Sequence, residues 1–533
     1  MQLKPQPSPA WPRLQRVLLA VMFLAALGER LTTAEWPAII AERQFRSAII
    51  ARADYFDENR DIADWRREVA RVSKQRQNIL EPPILENIVA LLYRLAGGVN
   101  LEIVRLLSTF FWLMGGMFLY LIAVRISSPP AALFAVAYFL FLPMGVALSM
   151  SFLPEPLMVM MFLGGIYTIL RYFEKPARSR LIAAGIITGL AVLIKPFCLF
   201  GLLGAFVALA LRETWHWKRL LRADMIVFLM VSSLIWMPFY GYAIFIAQFL
   251  SGNFRISVLP SFYFKLHYWG GWFYQAVDAV GYAPLILALL GLPLLRNHLA
   301  KALILGLMAG YVLFGLVYTY PIGIAGYYHL QLVIIVALAL APLGETFMNL
   351  FWQSSRQWQR RVPILAALLL LIIFNQLDIR SNLNSYRQYE SPEIAQEIGE
   401  AVRHSGKVVY LAPYYGKPLE YYSEISGTYW PEQTVNWDWI NEKTSGIIAP
   451  EESSWLRRIH KWLTRDIETR QLSIAERFAA LSFVPEYFIV TDFRRFNRYH
   501  QDTKAYLAEH ATLLRQTQHY LIYDLRMSSV GEE

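Results

Sequence analysis

The segment Glu35 to Arg52, EWPAIIAERQFRSAIIAR, follows the first hydrophobic run of the chain and sets one carboxylate, Glu42, beside Arg43, Arg46 and Arg52. A carboxylate that accepts a proton, next to fixed cations that hold an anion, is the equipment of a transfer reaction whose leaving group is a phosphate. The same residues also suit a solvated amphipathic helix with charges paired at i,i+3 and i,i+4. The other ionisable residues at the ends of apolar runs bear on the choice.

Glu155 lies between Pro154 and Pro156 at the start of an apolar run, where a helix dipole favours negative charge. An acid with no other duty than starting the helix is one reading; an acid at the lip of a hydrocarbon region is expensive, which points to function. Lys195, in Leu193-Ile194-Lys195-Pro196-Phe197, is a point charge in apolar sequence, suited either to snorkelling at a membrane edge or to a lipid-linked phosphate. His267, Tyr268, Trp269, Trp272, Phe273, Tyr274 and Asp278 crowd the stretch 251–282, as an interfacial belt or a stacking surface for a sugar. Tyr327 and Tyr328, in Gly326-Tyr327-Tyr328-His329, offer belt residues or hydrogen bonds to phosphate. Glu81-Pro82-Pro83 reads as the start of a helix lying on the membrane.

These residues need a frame. Of the 533 residues, 56% are hydrophobic and only 17% charged, which predicts a polytopic α-helical membrane protein. Runs long enough to cross a bilayer number about 11. They are 14–28, 104–123, 131–148, 156–170, 181–194, 197–211, 225–246, 283–295, 302–318, 330–343 and 364–375. The net charge of +10 comes largely from short loops, so it speaks for topology under the positive-inside rule and not for a nucleic-acid partner. That rule puts the N-terminus in the cytoplasm of a plasma (inner) membrane protein and requires 181–211 to be two crossings hinged at Lys195-Pro196. The N-terminal apolar run is expected to stay as the first span and not to be cleaved. The one cysteine, Cys198, excludes a disulfide framework and a Cys-based metal site.

Two polar regions then fall outside the membrane: the first loop, 29–100, grouped with the spans in a membrane domain of residues 1–378, and the tail, 379–533. In the tail, 407–412, 487–492 and 520–525 read as strands and 392–404, 452–469 and 503–514 as helices, predicting a C-terminal extracytoplasmic α/β domain.

Taken in order, Glu42 to Arg52, Glu81-Pro82-Pro83 with Arg105 and Ser108, Pro154-Glu155, Lys195-Pro196 and Tyr327-Tyr328 resemble the GT-C class of membrane glycosyltransferases. The likeness is to the branch of protein O-mannosyltransferases and the lipid A aminoarabinose transferase. Where that branch has paired acids in its first loop, this chain has Ala41-Glu42, so the base is open between Glu42 and Glu35. The resemblance implies a polyprenyl-phosphate sugar donor reached from the membrane lipids and a glycan, lipid or protein acceptor, with inverting transfer. Glu42 or Glu35 would then be the base and Glu155 a second acid. Arg43, Arg46, Arg52 and Lys195 would bind the phosphate, with Tyr327 and Tyr328. No cofactor is expected, because the sequence has no His or Cys cluster, although a divalent metal bridging phosphate and carboxylates occurs in some relatives. A transporter or flippase of lipid-linked sugars is the rival reading, disfavoured by the lack of repeated halves.

Overall fold

The computed structural model describes residues 11–32, 41–212, 222–295, 297–353, 391–432, 434–436 and 469–526. The chain divides into two compact units, Met1–Pro37 with Arg105–Ser385, and Ala38–Val104 with Tyr386–Glu533. The first loop therefore belongs with the tail and not, as its place in the sequence suggests, with the apolar bundle.

In the bundle unit, the apolar runs expected from sequence are largely helical where they lie within the described residues; 364–375 lies outside them. Leu101–Ile126, Glu155–Glu174, Ala223–Ile246, His298–Val317 and Gly326–Thr346 are long and apolar enough to cross a bilayer unaided. Leu266–Val280 and Tyr282–Leu294, bent by 89°, would make one more if they form a single span. Leu234, Phe245, Ile246 and Leu266 are each more than 70% exposed, a surface that hydrocarbon can cover and water cannot. The chain is an integral membrane protein.

Prolines set the breaks. The helix Arg178–Ile194 ends at Lys195-Pro196 and the next begins at Cys198, because proline lacks the N–H that would continue the ladder. The expected span 131–148 is two helices, Pro129–Phe141 and Pro143–Leu148. Between Cys198–Leu211 and His298–Val317 the backbones touch: a Cβ on Gly204 would come within 2.2 Å of the Gly306 carbonyl. Small residues allow this close packing, which takes the place of a hydrophobic driving force in lipid. Arg30, fully buried, staples the first helix to its neighbours by donating to Ser149 Oγ (2.6 Å) and the Leu140 carbonyl (2.9 Å).

The second unit is built on a five-stranded sheet. Its strands are β1 (Val408–Leu411), β2 (Gly427–Tyr429), β5 (Tyr487–Val490), β6 (Thr512–Gln516) and β7 (Leu521–Asp524), in the order β2-β1-β5-β7-β6. A separate antiparallel pair is formed by β3 (Thr434–Asn436) and β4 (Thr469–Gln471). The central strands β1 and β5 pair in parallel and read VVYL and YFIV, apolar at every position because both faces are covered. Val408, Tyr410, Tyr487 and Ile489 pack one face and Val409, Leu411, Phe488 and Val490 the other.

The three strands expected from sequence are β1, β5 and β7, and the expected helix 392–404 is Pro392–Ala401, started by Ser391, whose side chain accepts from Ile394 N–H. The expected helix 503–514 is corrected: Gln501–His510 is helical, but the chain turns extended at Ala511 and continues as β6. The expected helix 452–469 lies outside the described residues up to 468, and Thr469 opens β4.

The first loop forms three helices, Ala41–Glu58, Asp64–Gln75 and Ile84–Ala96, the last starting directly after Pro82-Pro83. They are fastened to the tail by mixed contacts. Phe45 meets the rings of Tyr421 and Tyr422 at 5.5 and 5.3 Å, and Trp65 stacks on His404 at 4.3 Å. Arg66 grips both carboxylate oxygens of Glu424, and Arg76 lies 4.0 Å over the Phe483 ring.

Candidate active site

Of the residues singled out from sequence, Glu155, Lys195, Tyr327 and Tyr328 belong to the bundle unit and Glu42, Arg43, Arg46 and Arg52 to the loop–tail unit. Glu35 lies outside the described residues.

In the bundle, Glu155 is the first residue of its helix and Lys195 the C-cap of another, so each charge sits at the helix end whose dipole favours it. Their side chains meet, Lys195 Nζ to Glu155 Oε1 at 3.0 Å, with only 3% and 0% of the two side chains exposed. Isolated ions in such a place cost several kcal/mol each, roughly, which mutual pairing offsets only in part. The Lys195 ammonium also lies 5.9 Å from the centre of the Tyr327 ring. Tyr327 packs on Tyr328 at 4.4 Å, and Tyr328 meets Phe197 edge-on at 5.7 Å.

The turn that presents these tyrosines is held from behind. His329 Nε2 faces the Ile322 carbonyl at 2.9 Å and therefore carries the ring proton. Nδ1 is left to accept from Tyr311 Oη–H at 2.7 Å, and Tyr311 Oη accepts from Trp272 Nε1–H at 2.8 Å. Trp272 and Tyr268, taken from sequence as belt or sugar-stacking residues, are thus partly spent on packing, with Tyr268 Oη–H donating to the Gly315 carbonyl at 2.9 Å. Trp269, Phe273 and Tyr274 remain exposed.

In the loop–tail unit, the helix Ala41–Glu58 buries Arg43, Arg46 and Arg52, while Glu42 is half-buried. Arg43 pairs with Glu81 at 2.9 Å, and Ser47 Oγ–H donates to Glu86 at 2.6 Å. Burial lowers the pKa of Arg46, helped by repulsion from Arg43 and opposed by Glu81, Glu42 and Glu86. Burial likewise raises the pKa of Glu86, and the Ser47 bond opposes the shift. A cavity of about 40 Å³ lies between Arg46, Lys74, Glu81 and Glu86, room for water but not for a sugar. Arg52 has another occupation: it donates to the Tyr421 carbonyl at 2.6 Å, lies 4.2 Å over the Tyr421 ring and is 4.0 Å from Glu424.

Sequence reasoning set Glu155 and Lys195 apart as separate candidates. An acid and a base in apolar sequence at the ends of consecutive helices was a signal for their pairing, since intramembrane ions seek one another. The roles of Glu81 and Glu86 left no such trace, because their partners are 38 and 39 residues away. Among the described residues, no group of three or more His, Cys, Asp or Glu side chains could hold a metal ion.

The fold defines a class. ArnT from Cupriavidus metallidurans in the apo state superposes with a TM-score of 0.53 at 14% identity, over 98% of this chain and 99% of that one. The same protein bound to undecaprenyl phosphate gives 0.52 at 13% identity, over 99% and 100%. The Archaeoglobus fulgidus oligosaccharyltransferase in complex with Zn and sulfate gives 0.51 at 14% identity, over 77% of this chain and 62% of that one. The chain therefore has the GT-C membrane glycosyltransferase fold. Residues 80–236 match the family described as dolichyl-phosphate-mannose-protein mannosyltransferase, which is part of the branch the sequence resembles. Comparison with curated proteins gives no match.

Proposed function

We propose that this protein is a glycosyltransferase that moves a sugar from a polyprenyl-phosphate donor to an acceptor hydroxyl at the outer face of the membrane. The observation that carries this reading is the buried Glu155–Lys195 pair beside Tyr327, set in a GT-C fold. A buried lysine at the end of a membrane helix is a point charge available to a phosphate, and a phosphate bound there competes with Glu155 for the ammonium. The ArnT structure with undecaprenyl phosphate and the mannosyltransferase match support a lipid-linked donor of this kind.

In the reaction, the acceptor oxygen forms a bond to the anomeric carbon as the bond from that carbon to the phosphate oxygen breaks. The acceptor proton passes to a carboxylate, and polyprenyl phosphate leaves. Inversion follows from a single displacement. Glu42 is the first choice for the base and Glu35 its competitor, while Lys195, Tyr327 and Tyr328 stabilise the departing phosphate and Glu155 assists. Arg43 and Arg46 are the loop's candidate cations. Arg52 is assigned instead to fastening the loop to the tail.

The test is turnover of a radiolabelled polyprenyl-phosphate sugar by purified protein, wild type against Glu42→Gln and Glu155→Gln. Slow sugar release by the wild type, abolished in both variants while they still bind the lipid, supports the reading. Binding without turnover in all three, across several sugars and acceptor extracts, rejects it in favour of a transporter of lipid-linked sugars.

A further inference from the structure

The turn that carries Lys195 is held by a side chain to which the transfer chemistry gives no part. Pro196 supplies no N–H to the ladder, and a broken helix leaves carbonyls for side chains to take up. On one side of the break, Tyr240 Oη–H donates to the Leu193 carbonyl at 3.0 Å. On the other, Gln331 Nε2–H donates to the Phe197 carbonyl at 2.9 Å. The two bonds grip the backbone two residues before Lys195 and two residues after it.

Gln331 stands in the first turn of the helix Leu330–Gln353, directly after the Gly326–His329 turn that presents Tyr327 and Tyr328. It therefore ties the turn of the cation to the turn of the tyrosines. Phe197 serves both, since its ring meets Tyr328 edge-on at 5.7 Å and Phe314 at 5.1 Å.

The cost of this tie decides what it is for. Gln331 is 1% exposed, and its Oε1 meets no hydrogen-bond donor among the described residues. Gly201 makes room for the amide: a Cβ there would come within 2.6 Å of Oε1 and 2.7 Å of the Phe162 ring. The Phe197 carbonyl also accepts from Phe200 N–H at 3.3 Å, so it keeps a partner without the amide. An unpaired buried amide oxygen costs at least as much as one neutral hydrogen bond returns, so for stability alone an apolar side chain of the same length would serve as well. What the amide adds is direction, because it sets where the Lys195 ammonium lies against Glu155 and Tyr327. We infer that Gln331 is a positioning residue for the donor's phosphate and acts through Lys195. The inference rests on the transferase reading for the phosphate at Lys195, and binding is measured apart from turnover so that the two can fail separately.

Purified full-length protein is titrated with radiolabelled undecaprenyl phosphate and with undecaprenol, the same lipid without the charge. Gln331→Met is expected to weaken the phosphate about tenfold and to leave undecaprenol unchanged, because only the phosphate meets the ammonium. Lys195→Met, combined with Glu155→Gln to keep the fold, should show the same pattern with a larger loss. The melting curve of Gln331→Met should stay close to that of the wild type, since Phe197 keeps its N–H donor. Equal weakening of both lipids would make Gln331 structural only, and it overturns the inference, as does unaltered phosphate binding. A loss of phosphate in Gln331→Met that the Lys195 variant does not share overturns it too. Failure of the wild type to bind undecaprenyl phosphate would sink the inference and the transferase reading together, whereas the expected pattern of binding without turnover of any donor would sink the transferase reading alone.

Discussion

Glu155 and Lys195 meet among apolar helices, while in the other unit Arg43, Arg46, Ser47, Glu81 and Glu86 share charge over a cluster, and Arg52, Arg66 and Glu424 form a second one. The two arrangements answer different demands. In the loop–tail unit, charges join segments far apart in sequence, and the guanidinia of Arg52 and Arg76 have aromatic faces or carbonyls to share their burial. In the bundle, an apolar pair of the same shape would fold at least as well, because desolvating two ions costs more than their attraction returns. Under the transfer reaction proposed above, the pair is there for the phosphate that Lys195 binds.

That contrast is broken most directly at Lys195. Lys195→Met is expected to reduce transfer by about 10²- to 10⁴-fold and to destabilise the protein by about 3–5 kcal/mol, since it leaves Glu155 buried without its ammonium. Adding Glu155→Gln should restore most of the melting temperature and none of the activity. Recovery of both together would make the pair structural only. A smaller effect is expected at Arg46, where Arg46→Gln should raise KM for the lipid donor about tenfold with kcat little changed, measured by steady-state transfer, if its charge acts on the ground-state phosphate.

The membrane architecture was legible because its signal is local: apolar runs, prolines at their ends and a shift to alternating sequence in the tail. Lys195-Pro196 announced its own helix break, and YFIV announced β5. The strand β6 was missed because Thr512-Leu513-Leu514 continues a helical pattern from Gln501, and only pairing with β7 across the sheet makes it extended. The site was half legible. Glu155, Lys195 and Tyr327 stood out as expensive or interfacial residues, whereas the partners of Arg43 and Ser47 are set by how three helices fold back on one another. The contacts of Arg52 were hidden for the same reason: Tyr421 and Glu424 are more than 360 residues away.

The fastening of loop to tail is tested at that arginine. Arg52→Ala removes a buried hydrogen bond to the Tyr421 carbonyl and the stacking on its ring, and is expected to cost about 2–3 kcal/mol. Limited proteolysis should then cut the 59–63 and 76–83 connections sooner than in the wild type. An unchanged digestion pattern and melting curve would mean that the aromatic contacts of Phe45 and Trp65 suffice.

The smallest effects are set by two carboxylates of this unit with opposite shifts. Burial raises the pKa of Glu86 above its ordinary 4.5, so the folded state binds more protons than the unfolded one at pH values between the two. Stability is thus lost as pH rises through that window, and Glu86→Gln should melt higher than the wild type at neutral pH, with the gain vanishing below about 4.5. Glu424 behaves in the reverse sense: burial alone would raise its pKa, but Arg66 and Arg52 outweigh it and hold the pKa below 4.5. Its contribution is present above 4.5 and is lost as pH falls through the lowered value, so Glu424→Gln should melt lower at neutral pH and converge on the wild type in acid. Melting curves of the two variants from pH 3 to pH 8 should therefore diverge from the wild type in opposite directions as pH rises. Divergence in the same direction would show that Glu86 is held by cations as Glu424 is, and that its hydrogen bond to Ser47 is not what keeps a buried acid in place.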